Sequence, residues 1–150
     1  MPLPCSQPDA ITSRSIPGQN GVVYVSSPCR GIRLAETLIH EASHQYFFLG
    51  LRELSYCSLN DDVLYYSPFN KLDRPIERIL LAYHAFANVL LFYRSVLERT
   101  ENEPLREFAH ATIKDLEGQL PTIGKYIERS PGMLQTGRLL YQTLADRVRL

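Results

Sequence analysis

The sequence predicts a mainly α fold: a helical bundle around an HExxH-bearing helix and a second long central helix, with a minor two-stranded β element. Three observations point there. Apolar residues recur at helical spacing from Ile32 onward. A nearly continuous apolar run, Ile79 to Tyr93, is too long for a strand and has the length of a buried helix. Only two short runs are rich in β-branched and aromatic residues, and each is closed by a proline. A chain of 150 residues, 45% hydrophobic and 10% aromatic, has the composition of one ordinary globular domain.

Residues 1–20 carry Pro2, Pro4, Pro8, Pro17 and Gly18 with little periodicity, and read as an irregular N-terminal arm. Residues 21–150 form the body. Gly21–Ser26 reads as a strand closed by Pro28, and Asp62–Ser67 as a second closed by Pro68; the two are available to pair as a ribbon. Between them, Ile32 to about Leu49 is the first strong helix. Its residues Ala35, Leu38, Ile39, Ala42, Tyr46 and Leu49 make one apolar stripe that should face the core, with Gly50 as its stop. The second helix starts at Asp73-Arg74-Pro75, with Asp73 as cap and Pro75 in the first turn, and runs to about Thr100. Pro104 opens a charged helix that Gly118 ends; Leu120–Arg129 is a further helical segment. Ser130-Pro131-Gly132 is a turn, and Met133–Leu150 is a final amphipathic helix.

Sixteen basic and sixteen acidic residues leave no net charge, which argues against broad affinity for nucleic acid or acidic membranes. Three cysteines, Cys5, Cys29 and Cys57, are odd in number, widely spaced and without a CxxC pair, so a reduced cytoplasmic setting is expected rather than a disulfide framework. The opening MPLPCSQPDAITSRS has no basic segment followed by an apolar core, the pattern of a secretory signal. The apolar run at Ile79–Tyr93 is broken by His84 and Asn88 and falls short of the roughly 20 residues that cross a bilayer.

The chemistry concentrates in the first helix, at His40-Glu41-Ala42-Ser43-His44. One turn separates the two histidines, so both imidazoles leave the same face and can converge on one ion. Glu41 lies about 100° further round, where it can hydrogen-bond a water on the ion and act as general base without being a ligand. Neutral imidazole suits zinc and ferrous iron alike. The plain alternative is two solvated histidines beside a salt-bridging glutamate. A catalytic centre needs a third protein ligand and an open position. The continuation Gln45-Tyr-Phe-Phe-Leu-Gly50 lacks the third histidine of the metzincin pattern. The second helix offers Glu77, His84 and Asn88 in one polar line amid apolar residues, and buried polar groups need partners. His84 is the preferred third ligand and Glu77 its competitor, while His110 in the charged helix reads as a surface residue. His-His-Glu would describe a zinc peptidase; three histidines suit zinc hydrolysis or Fe(II) with a bidentate oxo-acid and dioxygen.

A longer pattern goes beyond the motif. Gly21-Val-Val-Tyr-Val-Ser-Ser-Pro28, Leu34 through His44, Tyr65-Tyr-Ser-Pro-Phe69, and Asp73-Arg-Pro75 followed by a helix ending Phe92-Tyr-Arg94 together resemble a known family. It comprises the HExxH-motif peptide-modification proteins found in gene clusters for ribosomally made natural products. The resemblance covers roughly residues 20 to 95, in the family's order. Some members are regarded as iron- and 2-oxoglutarate-dependent peptide β-hydroxylases. The resemblance implies that His40, Glu41 and His44 occupy the family motif, and that Arg74 and Arg94 fall at its recurrent arginines. Either arginine can pair with the carboxylate of an oxo-acid or a substrate. A family histidine one turn into the second helix falls at Leu81 here, with His84 three residues later on the same face.

Residues 21–150 are therefore expected to form a single metal-binding catalytic domain. It would hold Fe(II) on His40, His44 and His84, take 2-oxoglutarate, and hydroxylate a precursor peptide, alone, as a homo-oligomer or with a partner chain. A Zn(II) metallopeptidase with Glu41 as general base is the alternative, and a non-catalytic helical binding module the second.

Overall fold

The computed structural model describes residues 12–26, 31–59 and 62–149. In chain order the elements are β1 (Ser13–Arg14), β2 (Tyr24–Val25), α1 (Gly31–Glu53), β3 (Leu64–Ser67), β4 (Leu72–Pro75), α2 (Ile76–Arg99), α3 (Glu103–Arg129) and α4 (Gln135–Val148). The protein is mainly helical with small antiparallel β ribbons, as the sequence predicts.

The apolar run becomes α2, which packs against α1, α3 and α4. Its Ile79, Leu80, Ala85, Ala87, Val89, Leu90 and Tyr93 are all buried, and α3 and α4 supply Ile113, Leu116, Ile123, Ile127 and Leu144 against them. By length and composition α2 could cross a membrane, but 56% of its most apolar stretch is buried inside the fold, the pattern of a core helix. The Tyr93 hydroxyl donates to Glu36 Oε2 at 2.5 Å, tying the end of α2 to the beginning of α1.

The expected orientation of α1 is largely reversed, although Ile39 of the expected stripe packs against the core and Ala35 is half-buried. Its buried residues are Thr37, Glu41, Ser43 and Phe47, whereas Leu38, Ala42, Tyr46 and Leu49 of the apolar stripe face outward, Tyr46 at 72% exposure. At about 100° per residue the two sets lie on opposite sides of the helix. The side bearing the HExxH residues is the one that meets α2, so the polar face is the packed one. Phe47, almost fully buried among Tyr56, Phe48 and His84, supplies the apolar anchor there.

The two expected strands do not pair with each other. Each closes a local hairpin. β2 pairs with β1, Ser13 opposite Val25, so part of the expected irregular arm is ordered; Gly18 and Gly21 take the positive φ values that its connection requires. β3 pairs with β4, Leu64 opposite Pro75, through a turn in which Lys71 adopts φ 55°. Asp73 and Arg74 are therefore strand residues, and Asp73 does not cap α2. The helix begins at Ile76 with Pro75 before it and no side-chain cap.

Gly118 does not end the third helix. α3 continues unbroken from Glu103 to Arg129, capped by Asn102 Oδ1 on the Leu105 N–H at 3.0 Å, and carries Pro121 in its interior. An interior proline and an exposed glycine together disfavour a helix by about 4 kcal/mol. Burial of Leu116, Leu120, Ile123 and Ile127 along one face outweighs that.

Gly50 likewise sits inside α1 and does not stop it. A Cβ there would lie 1.8 Å from the Tyr56 hydroxyl oxygen, because the chain after α1 folds back over the helix. That segment is held on α4 by the Leu134 N–H to the Tyr56 carbonyl at 3.0 Å, and by packing of the Cys57 sulfur on Met133 Sδ at 3.6 Å. Cys57 is buried; Cys5 and Cys29 lie outside the described residues. Gly50→Ala should destabilise the protein by about 1–3 kcal/mol by overpacking. The same change should cost less in a Tyr56→Phe background, where the clashing oxygen is gone. Urea denaturation of the four proteins in this cycle checks both statements.

Candidate metal centre

The α1 helix brings His40 and His44 to one side, their rings edge to face with centroids 4.5 Å apart. Ligand-capable atoms of His40, Glu41 and His44 all lie within 4.8 Å of one another, with both histidines half-buried and Glu41 only 2% exposed. Phe86 of α2 sets its edge against His40 at 4.8 Å and is itself stacked on Phe69 at 3.8 Å, so the β3–β4 turn braces one flank of the pair. Phe48 lies beside His44.

Glu41 is held by the arm. The Ser13 hydroxyl donates to Glu41 Oε1 at 2.6 Å, and the Ser15 hydroxyl lies 2.7 Å from Oε2 and 3.1 Å from the Glu41 carbonyl. Strand periodicity accounts for this: residues two apart share a face, so Ser13 and Ser15 both turn to α1 while Arg14 turns to the Tyr24 ring. One turn further on, the Gln45 amide fastens the same arm, accepting from the Gly21 N–H and donating to the Val22 carbonyl, each at 2.6 Å. Neither serine is visible as a site residue in the sequence, because two serines in a proline-rich stretch carry no spacing signal. They are found only once the arm is seen against α1.

His84 approaches from α2. Its ring packs 5.9 Å from Phe47, with the Ser43 backbone and His44 near enough to influence titration on that side. It stands outside the group formed by His40, Glu41 and His44. Asn88 does not complete a polar cluster with it; the Asn88 amide donates to the His84 backbone carbonyl at 2.9 Å, a bond within the helix. Glu77 is half-buried in the first turn of α2, about 10 Å along the axis before His84, and also lies outside the group. Arg74 sits in β4 on the hairpin face it shares with Tyr65, whose ring packs on Tyr126 of α3. Arg94 is committed elsewhere: it bonds Glu117 at 2.7 Å and the Val148 carbonyl at 2.8 Å, about 15 Å along α2 from His84. The cation that does act on His44 is Arg78, which the sequence reading did not single out. His110 is exposed on α3, as expected.

Electrostatics prepare the imidazoles as ligands. Burial lowers all three histidines from the ordinary value. For His40, Glu41 and Glu36 partly oppose that effect. His44 is taken to about 4, by burial first and then by His40, and for His84 the Ser43 carbonyl opposes burial. Near pH 7 the rings are neutral, the form that binds a metal. Among the described residues, the buried side-chain nitrogens and oxygens without any hydrogen-bond partner are His44 Nδ1, His84 Nδ1 and Arg74 Nε. An orphaned His44 nitrogen in a group with His40 and the Glu41 carboxylate fits a divalent transition metal, because buried polar atoms otherwise find partners.

No protein-family model matches the chain, and no curated protein matches it in sequence.

Two outcomes follow. A histidine held below its ordinary value makes the unfolded chain bind more protons than the folded one, so stability is full above about pH 6.5 and falls as pH drops toward 4. In chelator, the melting temperature should be flat from pH 8 to 7 and decline from 6.5 to 4, and His44→Asn should flatten that decline. Removing both arm hydroxyls, Ser13→Ala with Ser15→Ala, should cost about 2–4 kcal/mol, since hydrogen bonds to charged groups are worth about 1.5–3 kcal/mol each and the sites are part-buried. Urea denaturation measures the loss, and hydrogen exchange at 12–26 should rise with it.

Proposed function

We propose that this protein is a metal-dependent enzyme that modifies a peptide, with the ion held by His40 and His44 and a third position supplied from Glu41 or His84. The observation that carries the reading is the group of His40, Glu41 and His44 donor atoms within 4.8 Å of one another, on a helix face turned inward and kept neutral at its imidazoles. The favoured chemistry is iron- and 2-oxoglutarate-dependent hydroxylation of a ribosomally made precursor peptide. It is supported by the resemblance of residues 20–95 to peptide-modification proteins and by a donor set that leaves coordination positions open.

The bound iron would supply activation of dioxygen, one oxygen atom entering a peptide C–H bond as hydroxyl and the other joining the oxo-acid as it loses carbon dioxide to give succinate. The chain's own residues set the conditions. His40 and His44 offer nitrogen lone pairs because burial disfavours their protonation. Ser13 and Ser15 fix the rotamer of Glu41, so that its carboxylate stays beside the imidazoles. Arg78 brings positive charge toward His44 and favours an anionic co-substrate there. Phe86 and Phe69 wall one side with apolar surface, which keeps water from the His40 flank.

A second reading, a zinc peptidase with Glu41 as general base, draws on the nearness of the Glu41 carboxylate to both imidazoles. Anaerobic reconstitution with Fe(II) separates the two. Oxygen-dependent succinate from 2-oxoglutarate, abolished in His40→Ala and in His44→Ala, is the expected result. Oxygen-independent peptide cleavage lost in Glu41→Gln would favour zinc. Failure to retain any metal stoichiometrically, with a melting temperature indifferent to chelator, would overturn both, since binding to the folded state must add stability.

A further inference from the structure

One cavity of the fold lies away from the histidines. It lies between α2, α3 and α4, measures about 400 Å³, and falls in the range of small-molecule sites, about 300–1,000 Å³. Its apolar lining includes Leu90, Leu120 and Val148. The carboxylates on its walls are already engaged, Glu117 by Arg94 at 2.7 Å and Glu128 by the Tyr141 hydroxyl at 2.6 Å. Two donors that line it have no hydrogen-bond or ion-pair partner among the described residues: the hydroxyl of Tyr83, a residue 4% exposed, and the Lys125 ammonium. Arg149, at the rim, has only a long 3.6 Å pairing with exposed Asp146, and its charge acts on both Tyr83 and Tyr141. The Tyr83 hydroxyl and the Lys125 ammonium are therefore free to donate to a bound acceptor, the ammonium to a negatively charged one.

We propose that this cavity binds a small amphipathic carboxylate, its oxygens on the Tyr83 hydroxyl and the Lys125 ammonium and its aliphatic or aryl part over Leu90, Leu120 and Val148. Such a ligand accepts from the Tyr83 hydroxyl, pairs with the Lys125 ammonium, and covers apolar surface in one step. A cationic amphiphile would bring more donors to groups that already lack acceptors. The site is independent of the metal reading, since it shares no residue with the histidine group.

The full-length protein is titrated by calorimetry with sodium octanoate below its micelle concentration, with octylamine and octan-1-ol as chain-matched comparators, and the octanoate complex is mapped by amide NMR shifts. Expected are saturable one-to-one octanoate binding with shifts confined to the facing parts of α2, α3 and α4, and comparators at least tenfold weaker. Lys125→Met and Tyr83→Phe should each weaken octanoate by about tenfold or more while leaving octanol unchanged. Lys125 is exposed, so its variant keeps the fold and decides the matter if the Tyr83 variant is unstable. Absence of saturable octanoate binding, equal binding of octylamine, or an unaffected Lys125→Met variant would overturn the assignment. Octanoate binding that survives in His40→Ala shows that the two sites stand or fall separately.

Discussion

A carboxyl group buried as deeply as Glu41 must find donors, and this requirement organises the N-terminal half of the protein. Helix α1 turns its polar side to α2, so the glutamate cannot reach solvent. The two serine hydroxyls that satisfy it come from β1 and the residue just after it, 28 and 26 positions before Glu41 in the chain. The ribbon exists where it does because Gly18 and Gly21 return the chain to pair Ser13 with Val25 and so aim Ser13 and Ser15 at the helix. Without that contact the arm would be joined to the body chiefly through Gln45.

Much of the helical architecture was legible in the sequence, and the reasons are local. The long apolar run of α2 admits no other placement than the centre, Pro104 sits in a first turn, and Ser130-Pro131-Gly132 breaks the chain before α4. The HExxH spacing likewise gave the imidazole pair directly, since one helical turn fixes the relation of His40 to His44. Breakers were the weaker signal: Gly50, Gly118 and Pro121 all lie within continuous helices, because tertiary burial exceeds their intrinsic cost.

What the sequence could not give was direction. Periodicity shows that Leu38, Ala42, Tyr46 and Leu49 share a face; it does not say which side of the helix the rest of the chain covers. Here Phe47 and the histidines turn to α2, which supplies ring partners at the right heights, Phe86 for His40 and His84 for Phe47. Strand partners were hidden for a similar reason, each run closing on its nearest neighbour through a positive-φ turn rather than on the other. The placement of Arg74 and Arg94 follows: one is absorbed in a hairpin and the other in the seam between α2, α3 and α4, leaving Arg78 as a guanidinium with a minor effect on His44.

The arm and the histidine pair share a single carboxylate, and that has a thermodynamic corollary. Both oxygens of Glu41 carry a serine hydroxyl, and one of them lies within 4.8 Å of an imidazole nitrogen of His40 and of His44. Whatever factor the docked arm contributes to holding an ion, the ion must return in full to the docking of the arm, for linkage between two equilibria is reciprocal. Residues that offer the ion no ligand, such as Gln45 at the ribbon's fastening, would thereby gain leverage over occupancy of the centre through the ordering of a few residues of backbone.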